Sequence, residues 1–219
     1  MSNQDEYLDS LKEIRSIMER SSQFLSLSGL SGVFAGLSAL IGAFLVYVYK
    51  HDFFFGRYYN RGVYNSEKLL QGSELSNFIS FLLVVGISVL VVALFFGVFF
   101  TTRNARRKGL SYWNSTAKRM LINLFIPLVA GGLFCVALLY HGVVYLITPA
   151  TLVFYGLALI NASKYTIRDV RFLGIFEVIL GILSAFIVGY SLIFWAFGFG
   201  ILHIVYGLAM YFKYERSDS

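Results

Sequence analysis

The chain has 219 residues, of which 58% are hydrophobic and 14% are charged, with a formal net charge of +6. Soluble domains carry roughly 25% charged residues, so this composition excludes an ordinary soluble enzyme and indicates a protein that uses lipid as its solvent. The positive charge does not predict a nucleic-acid partner, because Lys and Arg lie in short segments between apolar runs and form no basic face.

The N-terminal segment, MSNQDEYLDSLKEIRSIMER, is polar and acidic. It lacks the basic start and short apolar core of a cleaved signal peptide. Its apolar residues recur at near-heptad spacing, which predicts an amphipathic cytoplasmic helix over residues 4–22. A helix for anionic lipid would be basic. We therefore expect this helix to pack on protein, either on this chain or on a second copy.

Six apolar runs are long enough to cross a bilayer, for which a helix needs about 20 residues. They cover about residues 27–47, 78–100, 120–140, 143–161, 172–190 and 192–212. Such runs must be helices, because lipid offers the backbone no hydrogen-bond partners. The sequence predicts an all-α polytopic membrane protein, with six transmembrane helices in a single membrane domain over residues 1–219.

The distribution of basic residues predicts the orientation, since segments rich in Lys and Arg stay in the cytoplasm. The connection between spans two and three contains RNARRKG and no acidic residue. Basic residues also follow spans four and six. With six spans, all three segments lie on one side. The predicted location is a bacterial inner (plasma) membrane, with both termini in the cytoplasm.

The first outer connection, from Lys50 to Glu74, is long and aromatic, and it includes HDFFFGRYYNRGVYNSEKLL. Aromatic rings concentrate at the membrane interface. This loop is either an aromatic belt or a docking surface for a partner. The other two outer connections, around His141 and Ser191, are very short and predict antiparallel hairpins.

Span one is rich in small residues, with Ser28, Gly32 and Gly36 four positions apart. Small side chains let membrane helices approach closely. The pattern predicts either a central position in the bundle or a dimerisation face.

A repeat relates the last two predicted hairpins at an offset of 51 residues. It places Tyr155–Ala158 over Tyr206–Ala209, both of which read YGLA. A chance match of such common membrane residues is the alternative. The two copies differ chemically, because Glu177 and His203 of the second align with Ile126 and Leu152 of the first.

Glu177 is the single acidic residue inside the predicted spans. It lies roughly 9 Å along its helix from Arg171, and His203 lies roughly 15 Å from Lys213. These depths predict an intramembrane polar cluster of Glu177, His203 and Tyr206. Ionisable groups inside a membrane are candidates for function. The cluster is either a proton-sensitive or ligand-binding site, or a polar clamp between spans five and six.

Motifs for catalysis are missing from the sequence. It has three His and one Cys, and it lacks a GxSxG motif, paired carboxylates and a Gly-rich phosphate loop. We predict no catalytic, cofactor-binding or metal-binding residues.

Two functions remain. One is a non-enzymatic module that binds or regulates a partner, or forms a homo-oligomer, through the N-terminal helix, span one or the outer aromatic loop. The other is a small transporter or channel.

Three stretches of the chain resemble a group of uncharacterised bacterial six-helix inner-membrane proteins. They are SIMERSSQFLSLSGLSGVFAG, YGLALINASKYTIRDVRFLGIFEVILG and LIFWAFGFGILHIVYGLAMYFKYER. The resemblance covers most of the chain and implies a bacterial multi-pass protein. It implies no activity.

Overall fold

The computed structural model describes residues 27–49, 73–109 and 113–215. These residues form helices joined by short turns. The helices are α1 (Gly29–Tyr49), α2 (Ser73–Arg107), α3 (Ser115–Tyr140), α4 (Ile147–Ala162), α5 (Asp169–Phe186), α6 (Ser191–Trp195) and α7 (His203–Tyr214). A π-helical segment, Ala196–Leu202, joins α6 to α7. We call the continuous stretch Ser191–Tyr214 the C-terminal rod.

Five helical stretches in the described residues are long and apolar enough to cross a membrane. They are Gly29–Tyr49, Ser76–Arg107, Ser115–Tyr140, Val144–Ala162 and Ser191–Tyr214. Helix α5 coincides with the fifth predicted span but contains three charged residues, Asp169, Arg171 and Glu177. The all-helical prediction is confirmed for the described residues. The predicted helix over residues 4–22 and most of the outer aromatic loop lie outside them.

Helix α2 is much longer than the span predicted over residues 78–100. Its 35 residues cover about 52 Å, well beyond a hydrocarbon core of roughly 30 Å. The basic residues Arg103, Arg106 and Arg107 therefore continue the helix and are not in a loop. Arg is a good helix former, and the residues that follow the predicted span, 101–108, contain neither Gly nor Pro.

The two prolines lie at different places in their helices. Pro127 is inside α3. Pro149 is the third residue of α4, in the first turn, where a backbone N–H has no partner within the helix. Of the two, only Pro127 removes a helical hydrogen bond.

The helices form a series in which each packs mainly on its neighbours. Helix α1 lies between α2 and the C-terminal rod, the rod contacts α5, and α5 packs on α4, which also contacts α3. Helices α2 and α3 thus lie at the two ends of the series. Both expose most of their apolar side chains.

Glycines make the closest helix contacts. A Cβ added to Gly29 would lie 2.3 Å from the carbonyl oxygen of Gly207, and one added to Gly36 would lie 2.6 Å from that of Gly200. The small-residue face of span one therefore packs inside the chain, against the rod, as in the central-position alternative. The pairing also shows that α1 and the rod are antiparallel.

The same contact occurs between α4 and α5. A Cβ on Gly156 would lie 2.5 Å from the Gly174 oxygen, and one on Gly174 would lie 2.7 Å from the Gly156 oxygen. Gly156 and Gly207 are the equivalent glycines of the two YGLA stretches. Gly156 packs against the antiparallel helix α5, and Gly207 packs against the antiparallel helix α1. The equivalent residues of the repeat therefore make equivalent helix contacts.

We predict that Gly207→Ala destabilises the bundle by about 1–3 kcal/mol, the usual cost of overpacking. The new methyl group would lie 2.6 Å from the backbone oxygen of Gly29, which cannot rotate away. SDS-induced unfolding from detergent micelles measures the change.

The matched control is Gly132→Ala on α3, where no neighbouring atom of the described residues lies within 4 Å of the new methyl. It should leave the free energy of unfolding unchanged. Equal stability of the two variants would contradict the proposed contact.

Candidate functional site

The buried face of α5 carries a carboxylate among small and apolar residues. The face consists of Val170, Leu173, Gly174, Glu177, Gly181 and Ser184. Glu177 has no exposed surface. It lies eight residues from the start of the helix, about 12 Å along the axis. The chain thus places its carboxylate well inside the bundle.

His203 faces α5 from the junction between the π-helical segment and α7. Its ring Nδ1 lies 3.0 Å from the backbone oxygen of Gly198. Because a carbonyl oxygen only accepts hydrogen bonds, Nδ1 carries a proton and donates it. The backbone N–H of His203 donates to a different acceptor, the backbone oxygen of Gly200. The irregular segment therefore leaves the Gly198 carbonyl available to the imidazole.

Glu177 and His203 are in contact. Glu177 Oε1 lies 3.4 Å from His203 Nδ1, and the two side chains are 0% and 7% exposed. Within the described residues, neither carboxylate oxygen has a hydrogen-bond partner. The contact is electrostatic, since Nδ1 is aimed at the Gly198 oxygen.

Gly198 also makes room for the carboxylate. A Cβ at this position would lie 2.6 Å from Glu177 Oε2 and 2.7 Å from Leu152 Cδ2. Only glycine lets the π-helical segment approach α5 this closely. Leu152, which is fully buried, closes the site from α4.

Tyr206, the third residue predicted for the cluster, lies elsewhere. Its ring packs on the apolar group of Leu159, Val170 and Leu173. Its hydroxyl makes no hydrogen bond with the described residues. Val170 and Leu173 precede Glu177 on α5, so Tyr206 lies one to two turns away from the carboxylate. The structure brings Glu177 and His203 together and leaves Tyr206 outside the pair.

Tyr155 on α4 takes the place predicted for Tyr206. Its hydroxyl lies 2.8 Å from His203 Nε2. Its ring, Phe199 and His203 pack on one another, with centroids 4.9–5.9 Å apart. The repeat could have indicated Tyr155 as a candidate for the cluster, because Tyr155 aligns with Tyr206.

Charged residues fix the end of the C-terminal rod that leads away from His203. Lys213 Nζ and the Tyr214 hydroxyl lie 2.7 and 3.1 Å from Asp169 Oδ2 at the start of α5. Glu215 accepts a hydrogen bond from the backbone N–H of Gly29, the first residue of α1. A carboxylate at a helix N-terminus is favourable. These contacts set the position of the rod relative to α1 and α5.

The chain matches no protein-family profile, and no curated protein or solved structure matches it. The resemblance to bacterial six-helix proteins therefore stays a prediction. Within the described part of the chain, no three His, Cys, Asp or Glu side chains gather as metal ligands. The chemistry available at the site is that of a carboxyl group beside an imidazole, which is proton binding or helix clamping.

We predict that Tyr155→Phe destabilises the bundle by about 1 kcal/mol, the usual net value of a hydrogen bond between membrane helices. The change removes the hydroxyl that bonds His203 and keeps the ring. SDS-induced unfolding again measures the effect.

Tyr206→Phe is the matched control, because its hydroxyl is buried without a hydrogen bond among the described residues. It should be neutral or slightly stabilising. A larger loss in Tyr206→Phe than in Tyr155→Phe would show that the sequence-based cluster was the correct one.

Proposed function

We propose that this chain is a six-span protein of a bacterial inner membrane, with both termini in the cytoplasm, and that it is a non-enzymatic module that binds or regulates a membrane partner. Its partner is an apolar transmembrane helix of another protein. Three features support the proposal: the length and charges of α5, the position of the charged helix ends, and the surface of α2 that the described residues leave uncovered.

Helix α5, the fifth span in chain order, is the one that brings the count from five to six in this proposal. Its 18 residues cover about 27 Å, close to the thickness of a hydrocarbon core. Two of its three charged residues, Asp169 and Arg171, lie in the first turn, at the polar boundary. The third, Glu177, is fully buried in protein and does not face lipid. Helix α4 packs antiparallel to α5 along its length.

The contacts at one end of the bundle support the orientation. Lys108, just beyond α2, donates to the carbonyl oxygen of Tyr214. Lys213 pairs with Asp169, and Glu215 binds Gly29. The start of α1, the end of α2, the start of α5 and the end of the rod therefore lie together. The segments predicted as cytoplasmic are those that meet here.

Helix α2 carries the partner-binding proposal. Among the described helices it packs mainly on α1. Gly86 and Gly97 lie 11 residues apart, three helical turns, on a common face. A Cβ on either would meet no atom of the described residues within 4 Å. Because close packing of membrane helices depends on small residues, this face suits another transmembrane helix.

The enclosed Glu177 supports a non-enzymatic function. Its carboxylate has no exposed surface and touches Gly198 and His203. A substrate therefore has no access to it in this conformation. A small transporter or channel is the second candidate, favoured by the π-helical segment beside an intramembrane carboxylate. It requires α5 and the rod to separate.

For the partner, we predict that Gly86→Leu combined with Gly97→Leu abolishes capture of a membrane protein that the wild-type chain retains. The added side chains fill the face and should not disturb the fold, since a Cβ at either position meets no atom of the described residues within 4 Å. Crosslinking in native membranes, purification and quantitative mass spectrometry measure capture.

Gly132→Leu, an equally open glycine on α3, is the control and should retain the partner. If both variants capture the same proteins as wild type, the α2 face is not the docking surface. Capture of the chain's own peptides from a differently tagged copy would identify a homo-oligomer instead.

For orientation, we predict that a membrane-impermeant maleimide labels His141→Cys in intact spheroplasts and labels Lys164→Cys only after lysis. Both positions are exposed, and they lie on opposite sides in the proposed topology. Cys135 is replaced by Ala in both variants. The reverse labelling pattern would invert the topology.

A further inference from the structure

We propose that Glu177 is a proton-binding site: its side chain is held as the neutral carboxylic acid inside the folded bundle, opposite a neutral His203. This inference concerns the interior of the bundle and is independent of the partner proposed for α2. It rests on the hydrogen-bond partners of the two side chains and on the space around them.

The neutral form of His203 follows from its two contacts. Nδ1 donates to the Gly198 oxygen at 3.0 Å, which fixes one ring proton. Nε2 lies 2.8 Å from the Tyr155 hydroxyl. In a neutral ring Nε2 is an acceptor and the tyrosine O–H is its donor, so both contacts are satisfied. In an imidazolium, Nε2 would donate, and the tyrosine proton would need another acceptor.

With His203 neutral, an ionised Glu177 would be an uncompensated charge. Its oxygens receive no hydrogen bond from the described residues, and it has no exposed surface. The ring N–H of His203 is used by the Gly198 oxygen, which is closer to Nδ1 than Glu177 Oε1 is. An ionised carboxylate accepts hydrogen bonds and is far costlier to bury than a neutral acid. A proton on Glu177 removes the charge.

No other charged group of the described residues compensates Glu177. The titratable groups that face it are His203 from the rod and Tyr155 from α4, with Tyr206 one to two turns away. The buried polar residues of the described chain include no Lys or Arg. Lys213 lies at the end of the rod and is paired with Asp169.

The space around the carboxylate fits a proton better than a metal ion. A methyl group added to Gly198 would lie 2.6 Å from Oε2 and 2.7 Å from Leu152 Cδ2, so the space beside the carboxylate does not hold one. Metal cations need several oxygen or nitrogen ligands around them. A proton needs only the carboxylate itself. The site is therefore assigned to H⁺, with one proton bound per chain.

Proton loss would link this site to the helix packing. Ionised Glu177 requires a hydrogen-bond donor or a cation, and the described residues around its enclosed position supply neither. The contact between α5 and the π-helical segment would have to open. Proton occupancy thus determines whether the two helices stay together.

The test is infrared spectroscopy of the full-length protein in dodecyl maltoside, a detergent without a carbonyl group, at slightly alkaline pH. Exposed carboxyl groups are ionised there. We expect a C=O stretching band of one carboxylic acid per chain, which disappears in Glu177→Gln. Asp169→Asn removes a carboxylate that is partly exposed and ion-paired, so it should keep the band.

A second measurement needs no substitution, which covers the case in which Glu177→Gln does not fold. Labelling the side-chain carboxyl of glutamate with ¹³C should shift the band to lower frequency in the wild-type protein. Absence of the band from the wild type would show an ionised pair and overturn the proposal. A band that does not shift, or that persists in folded Glu177→Gln, would assign the proton to another group and overturn it too.

Discussion

The structure depends on close backbone contact between helices at glycine. In lipid, apolar side chains gain little by leaving one apolar surface for another, so helix association relies on packing and hydrogen bonds. Gly29 against Gly207 and Gly156 against Gly174 bring helix backbones so close that neither pair has room for an added Cβ. They join α1 to the rod and α4 to α5. These two helix pairs carry His203, Tyr155 and Glu177.

The π-helical segment brings His203 and Glu177 into contact within this packing. Between Ala196 and Leu202 the rod departs from regular α-helical hydrogen bonding, and the Gly198 carbonyl receives the imidazole of His203. The absence of a side chain on Gly198 lets the segment lie against Glu177. π-Helical segments are frequent at functional sites. Here the irregularity brings a carboxyl group, an imidazole and a phenol from three helices to one place.

The charged end of the bundle supports that arrangement from a distance. Asp169 binds Lys213 and Tyr214, and Glu215 binds the start of α1. Exposed ion pairs contribute little stability on their own. Here one ion pair and two hydrogen bonds together fix the last turn of the rod between α1 and α5. A register shift of the rod would move His203 away from both Glu177 and Tyr155.

The sequence by itself determined the helical class, the apolar segments and the pairing of Glu177 with His203, because length, hydropathy and helical rise depend only on local residues. Counting from the basic boundary placed them roughly 9 and 15 Å deep, a difference that two side chains can span. Tertiary structure decided which tyrosine joined them. Tyr155 and Tyr206 occupy equivalent positions in the repeat, and only the packing of α4 against the rod turns Tyr155 toward His203.

Tertiary structure also decided that the basic stretch after span two continues a helix, since charge patterns fix the side of the membrane and not the backbone conformation. The sequence did not predict the π-helical segment either, because its geometry depends on the packing of Gly198 on α5 and of Gly200 on α1.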